Sequence, residues 1–296
     1  MEVKALKFGG LTAKRPIVQG GMGVGVSLSS LAGNVAKCGG IGTISGVHPG
    51  YREADFKENP FRANLRAIGN ELEKAKEIAN GGIIGFNFMT VMNHYEEYVK
   101  EAIAAGADFI VSGAGLPVNL AKYAAGTRAA ILPIVSSARA LKLIVKQWQR
   151  ADRLPDAVVV EGPLAGGHLG YPYGHLVDGT FDTLEDSLVD VVDYVRELEE
   201  KNGVIIPVIA GGGVRSHADM ERLMALGASG VQVGTKFVAT EECDAAPAFK
   251  QAYLRSRKED VQLIESPVGL AARAIRNSFL EKVEKQGRIP VQRCYQ

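Results

Sequence analysis

VIIPVIAGG, residues 204–212, and SGVQVG, residues 229–234, are runs of apolar, largely β-branched residues that end in glycine and show no polar–apolar alternation. A strand that reads this way is buried on both faces, the situation of a parallel sheet covered by helices. Between the two runs, residues 218–226 carry a helical pattern, and Ser216 and Asp219 ahead of it stand at capping-box spacing. Strand, helix and strand in that order make one right-handed βαβ unit.

The same alternation extends back to the start of the chain. Further strand runs are PIVQG (16–20), GIGTIS (40–45), IIGFNF (83–88), DFIVSG (108–113), AILPIVS (130–136) and AVVVEG (157–162). Helical patterns fall at 28–37, 66–79, 95–105, 118–124, 138–149, 184–200 and 247–256. In the 184–200 segment Leu188, Val191, Val192, Val195 and Leu198 share one face, opposite acidic residues. Eight strands, each followed by a helix, within 296 residues predict an α/β fold. Its form is a single (β/α)8 TIM barrel over 1–296 rather than two doubly wound domains. Three segments exceed a minimal barrel: 46–64, 163–182 and 257–296. The first two follow the second and sixth strands, which places them on the C-terminal face where barrel active sites are built. The third is expected to hold a helix over 269–285 that closes the pocket or forms a homodimer contact.

Composition narrows the function. The chain is 46% hydrophobic and 23% charged, which excludes general disorder and a disulfide-dense miniprotein. A net charge of +1 gives no global basis for capturing nucleic acid or an anionic membrane. Cys38, Cys243 and Cys294 lie far apart with no CxxC spacing, so neither a disulfide framework nor a cysteine zinc site is expected. Cys38 reads as a small core residue. No HxH or HExxH spacing suggests a metal. Residues 1–16, MEVKALKFGGLTAKRP, lack the apolar core of a secretory signal, and no run of apolar residues is long enough to span a bilayer. The expected compartment is the cytoplasm.

Glycines gather at the strand ends: Gly20-Gly21-Met22-Gly23, Ser112-Gly113-Ala114-Gly115, Gly166-Gly167, Gly211-Gly212-Gly213 and Gly234-Thr235. Glycine lets backbone approach a ligand closely and leaves N–H groups to donate. The loops after strands seven and eight are where barrels commonly hold phosphate, and Gly211–Gly213 with Gly234 and Thr235 fit that place. His168 follows the sixth strand in EGPLAGGHLG (161–170), and imidazole titrates near neutrality, so it leads as acid or base. His48 and His175 lie in the long active-face loops as secondary candidates. His94 and His217 fall at helix starts, where capping or exposure accounts for them.

The ordered motifs PIVQGGMG (16–23), CGGIGTI (38–44), GFNFM (85–89), FIVSGAGLP (109–117), EGPLAGGHLG (161–170), PVIAGGGV (207–214), VQVGTKFVATEE (231–242) and SPVGLAARAIRNSF (266–279) cover nearly the whole chain. They resemble the FMN-dependent family of nitronate monooxygenases, formerly 2-nitropropane dioxygenases, and the FabK-type enoyl-[acyl-carrier-protein] reductases. The resemblance implies one FMN and no separate Rossmann domain. It places Gly21, Met22 and Gly23 against the isoalloxazine ring, Asn87 in a hydrogen bond to the flavin, and Ser112 and Gly113 near it. Ala165, Gly166 and Gly167 join this cofactor set. Gly212, Gly213, Gly234 and Thr235 would hold the phosphate with Gln232 nearby, and His168 would be the active-site histidine. Two departures bear on the substrate. Ala271-Ala272 stands where relatives often carry Pro-Gly, and YPYGHL (171–176) extends the loop after GGHLG as a lid or specificity element.

The resemblance implies a flavoprotein oxidoreductase with two principal readings. A nitronate monooxygenase would oxidise alkyl nitronates with O2 to carbonyl compounds and nitrite, with a small-molecule substrate and no nicotinamide. An enoyl reductase would use NAD(P)H and take the acyl carrier protein as partner, with Arg273 and Arg276 either supplying a basic entry patch or standing as solvated helix charges. A flavin-free nucleotide dehydrogenase of the inosine-monophosphate type would need a nucleophilic cysteine in an active-face loop. A flavin-storing protein would need no acid or base at all.

Overall fold

The computed structural model describes residues 4–266 and 268–287. An antiparallel hairpin, β1 (Leu6–Phe8) and β2 (Leu11–Ala13), comes first. The barrel strands are β3 (Ile17–Gln19), β4 (Ile41–Ser45), β5 (Ile83–Met89), β6 (Phe109–Gly113), β7 (Ala130–Val135) and β8 (Val158–Glu161). After the two-residue β9 (Gly167–His168) come the last two barrel strands, β10 (Val208–Gly211) and β11 (Gly230–Val233). These eight are parallel throughout, and β11 pairs with β3, with Gln232 opposite Val18, to close the barrel. Each of the eight apolar runs read from the sequence supplies one of them.

Helices α1 (Ser29–Lys37), α2 (Pro60–Ala79), α3 (Tyr95–Ala104), α4 (Leu120–Tyr123) and α5 (Ala138–Trp148) separate the earlier strands. They are followed by α6 (Tyr173–Asp178), α7 (Leu184–Asn202), α8 (His217–Ala225), α9 (Thr235–Val238) and α10 (Pro247–Arg255). Local chemistry sets their starts. The Thr183 and Ser216 side chains form capping boxes with Asp186 and Asp219. Asn59 caps α2 through Arg62 N with Pro60 next to it, so this helix begins six residues before the apolar pattern does. Leu28 cannot cap α1. Instead Asp244, more than 200 residues away, accepts from the N–H groups of Leu28 and Leu31 through Oδ2 and of Ser30 through Oδ1.

Alternate strand residues separate into two cores. Val18, Ile41, Ile83, Phe109, Val111, Leu132, Val159 and Ile209 fill the barrel interior together with the underside hairpin residues Leu6 and Phe8. Ile44, Ile84, Phe86, Phe88, Ile110, Val158 and Val160 face the helices. Trp148, fully buried on α5, donates Nε1–H to Pro117 O.

Three expectations need correction. Residues 269–285 are not one helix: β13 (Ala271–Ile275) lies between β12 (Val261–Glu265) and β9 in an antiparallel sheet, and α11 (Ser278–Gln286) follows after an Asn277 cap. Pairing on both sides of β13 overrides the helical preference of its alanines. Arg273 is consequently a strand residue rather than a solvated helix charge. Cys38 is exposed at the C-cap of α1, because the chain turns there into β4 at the outer surface. Cys294 lies outside the described residues.

A Cβ on Gly42 would sit 2.0 Å from Ala32 O, so α1 packs on β4 only because that side chain is missing. Gly42→Ala is expected to lower unfolding free energy by about 3 kcal/mol or more, measured by urea denaturation of the purified variant.

Candidate active site

Barrel parity decides which side chains reach the C-terminal mouth. Residues in step with Val18, Ile83, Val111, Val159 and Ile209 point inward. At the tops of the strands these are Gly20, Asn87, Gly113, Glu161, Gly211 and Gln232. Asn87, Glu161 and Gln232 are therefore polar groups set among glycines directly above an apolar plug. The glycines admit them: a Cβ on Gly21 would lie 2.4 Å from Asn87 Cβ, and one on Gly211 would lie 3.2 Å from Gln232 Cβ.

The loop after β3 is held rigidly. Gln19 is buried, and its Nε2 donates to Ser27 Oγ (2.9 Å) and Gly20 O while its Oε1 accepts from Thr43 N. Met22 N donates to the same Ser27 Oγ. Gly23 lies against Val47 and Ser45, and Gly234 lies beside Met22 Sδ, which brings the loops after β3 and β11 together. Gly212 and Gly213 adopt φ of +98° and +91°, a turn that glycine makes without strain. Among the described residues, the backbone N–H groups of Gly212, Gly213, Gly234 and Thr235 donate no hydrogen bond within the protein. Four donors at neighbouring strand ends, beside Gln232, suit the phosphate of a flavin nucleotide, and Asn87 across the mouth presents an amide to its ring.

His168 is half-buried on β9, where it pairs with Ala272 of β13. Burial lowers its pKa, so the imidazole is neutral at neutral pH. Its ring carries no hydrogen bond among the described residues. Arg273, the next residue on β13, donates from one guanidinium nitrogen to Pro163 O and Ala165 O. This single side chain ties residues 163–165 to the strap that holds His168. Gly166 and Gly167 face open space, and Gly167 has φ +75°. The 171–176 extension packs back on the strap, with Leu176 buried against Ala165, Leu169 and Ala271, and Tyr171 Oη–H donates to Glu161 O.

Ser112 behaves differently from its neighbours. It is out of step with Val111 and faces the helix layer, where its hydroxyl donates to Phe88 O and meets Tyr95 OH at 2.7 Å. Only its backbone borders the mouth. Among the other histidines, His48 lines a cavity beside the mouth, and His175 is exposed on α6. His94 and His217 sit at the starts of α3 and α8, and His94 lines the same cavity as His48. Cys38 is at the opposite end of the barrel, and Cys243 is buried with Sγ on Val26 O, so neither thiol is an active-face nucleophile.

Glu161 is the residue that motif reading passed over. It closes β8 on the inward row, partly open to the mouth, and the surrounding protein pushes its carboxyl up to about 8. The sequence signal was available, since Glu161 lies two residues after the inward Val159.

Residues 4–296 match the family described as nitronate monooxygenase. A probable nitronate monooxygenase of Staphylococcus saprophyticus is 25% identical, covering 96% of this chain and 82% of the relative. One from Staphylococcus aureus is 26% identical, covering 95% and 81%. FabK from Thermotoga maritima superposes with a TM-score of 0.72 at 26% identity, covering 93% of this chain and 75% of FabK. The nitroalkane oxidase of Streptomyces ansochromogenes shares the fold, with a TM-score of 0.65 at 22% identity over 90% of this chain and 78% of that one.

A carboxyl kept protonated by its surroundings stabilises the fold below the pKa of the unfolded chain, and that stability is lost as pH rises towards 8. Glu161→Gln is therefore expected to match the parent near pH 4.5 and to gain about 1–2 kcal/mol on it by pH 8.5. Thermal denaturation across that range measures the divergence.

Proposed function

Because this chain belongs to the nitronate monooxygenase family of flavin-dependent oxidoreductases, we propose that it oxidises alkyl nitronates with O2 to carbonyl compounds and nitrite. It does so with FMN, as one barrel domain in the cytoplasm. The observation that carries this reading is a neutral, unpartnered His168 held by the β9–β13 strap over a mouth whose free backbone donors suit a flavin phosphate. Two free thiols, Cys38 and Cys243, fit a reducing compartment. No helix among the described residues is long and apolar enough to cross a membrane.

In this reading Gly212, Gly213, Gly234 and Thr235 hold the FMN phosphate through backbone N–H groups, with the Thr235 hydroxyl as a further donor. Asn87 and Gln232 present amides to the ring. Gly21, Met22, Gly23, Gly113 and the backbone of Ser112 line its approach, with Ala165, Gly166 and Gly167 on the His168 side. When bound, FMN supplies the two-electron and O2 chemistry that no side chain here can perform. His168 Nε2 or Nδ1, neutral at working pH, takes the α-proton of a neutral nitroalkane. In its protonated form it lies against the negative nitronate oxygens. Because burial lowers its pKa, proton abstraction persists to lower pH than an ordinary imidazole allows. Arg273 is a positioning residue: it fixes the backbone of 163–165 and, through β13, the place of His168.

The enoyl reductase reading, with NAD(P)H and acyl carrier protein, draws support from the likeness to FabK. The basic patch that it wants is less evident. Arg273 is spent on two carbonyls and Arg276 pairs with Glu281.

Anaerobic mixing separates the two. The flavin absorbance of the purified protein is expected to bleach with ethyl nitronate and not with NADH or NADPH. Rapid bleaching by a nicotinamide and none by nitronate would reverse the order. His168→Ala is expected to keep the flavin and lose about 100-fold or more in kcat/KM on neutral nitroalkanes, whereas Gly234→Val is expected to lose the flavin itself.

A further inference from the structure

Beside the barrel mouth lies a cavity of ≈ 200 Å³, between the loops that follow β4 and β5. It borders the mouth at Met89, two residues beyond Asn87 on the same inward row, and at Val47, which packs against Gly23. Its wall is mostly apolar, from Val47, Phe61, Met89, Val91 and Met92 with Val268 of the C-terminal segment over it, and its polar atoms come from His48, Asn93, His94 and Tyr98. It contains no Lys, Arg, Asp or Glu.

One polar side chain of that wall, His48, is fixed in a single hydrogen-bonding role by Asn64 behind it. Asn64 is buried, and its Oδ1 accepts from Gly50 N at 3.0 Å, which identifies the other amide atom as the donor Nδ2. That Nδ2 lies 3.3 Å from Tyr98 Oη and 3.3 Å from His48 Nδ1. His48 Nδ1 must accept, so the proton of the neutral ring is on Nε2. Burial lowers the His48 pKa and favours that neutral form. Phe56 packs edge-on against the ring at 5.4 Å. Among the described residues, Nε2 has no partner.

We propose that this cavity is the subsite for the organic group of the substrate, an uncharged chain of up to about eight non-hydrogen atoms, with His48 Nε2–H as donor to an acceptor oxygen carried on that chain. The size follows from a dry cavity of about 150 Å³ holding benzene. The absence of Lys and Arg from the wall leaves no fixed cation there for the anionic head, which stays at the mouth while the apolar group enters the cavity. A phosphopantetheine arm with a long acyl chain exceeds this volume. The inference rests on the nitronate reading and names its substrate class: short, uncharged alkyl or oxoalkyl nitronates.

Straight-chain alkanoates test it without turnover, since a carboxylate is a planar anion with two oxygens like a nitronate. Calorimetric titration of the flavin-loaded protein from acetate to dodecanoate is expected to show Kd falling two- to fourfold per methylene as far as about octanoate, and no further. The best of the 3-, 4- and 5-oxohexanoates is expected to bind at least threefold tighter than hexanoate. His48→Phe should remove that preference and His48→Gln should keep it. Met89→Trp should move the limit to shorter chains, and Val91→Trp, at the half-exposed rim, serves the same end if Met89→Trp does not fold. Affinity that ignores chain length, or a length limit that both tryptophan variants leave in place, overturns the subsite. Indifference of the oxohexanoate preference to His48→Phe overturns the donor. Length-dependent binding with no nitronate oxidation would keep the subsite and sink the activity, and oxidation with no length dependence would do the opposite.

Discussion

Closing eight parallel strands into a ring forces every second residue of every strand into an interior just wide enough for side chains. The pairing of β11 with β3 completes that ring. Eight large apolar residues, Ile83 among them, and the hairpin beneath them fill it, so nothing can bind inside. The next inward layer opens to the mouth, and there the residue types change to glycine, Asn87, Glu161 and Gln232. The candidate site is the layer at which the plug ends.

That layer needs support from outside the barrel. Glycines at the strand ends bring backbone donors close, but they carry no side chain that does chemistry. His168 comes from a loop and reaches its place by pairing with β13, a strand roughly a hundred residues later in the chain. Arg273 then binds two carbonyls of the same loop. A half-buried guanidinium facing carbonyls costs desolvation that surface placement would avoid. Its return is a fixed backbone beneath the histidine.

How much of this the sequence made legible follows from range. The barrel strands were readable because each is a local run of apolar residues ending in glycine. Capping boxes at Thr183 and Ser216 are local too, and that at Ser216 was readable. The strap was not: β9 has two residues and is a strand only through a partner about a hundred residues later, and β13, although its first partner β12 is close in sequence, is alanine-rich and reads as helix. Arg273 looked like a surface charge for the same reason. Parity was the unused local signal. Counting from Val111 turns Ser112 away from the mouth, and counting from Val159 turns Glu161 into it. His48 stood in a long loop with nothing to distinguish it, because its role depends on Asn64 and Tyr98 from two helices.

The β3–β11 seam and the Asp244 cap on α1 also bear on how the protein is made. Both join the start of the chain to segments more than 200 residues later. During synthesis at about 5–20 residues per second, the edge of β3 waits about 10–40 s before its partner strand emerges. For that interval an apolar strand edge and the bare N-terminus of α1 have no native partner. The underside hairpin β1–β2, built from the first residues and packed beneath the interior, is complete well before then. It gives the nascent sheet one covered end while the other side of the ring is still being translated.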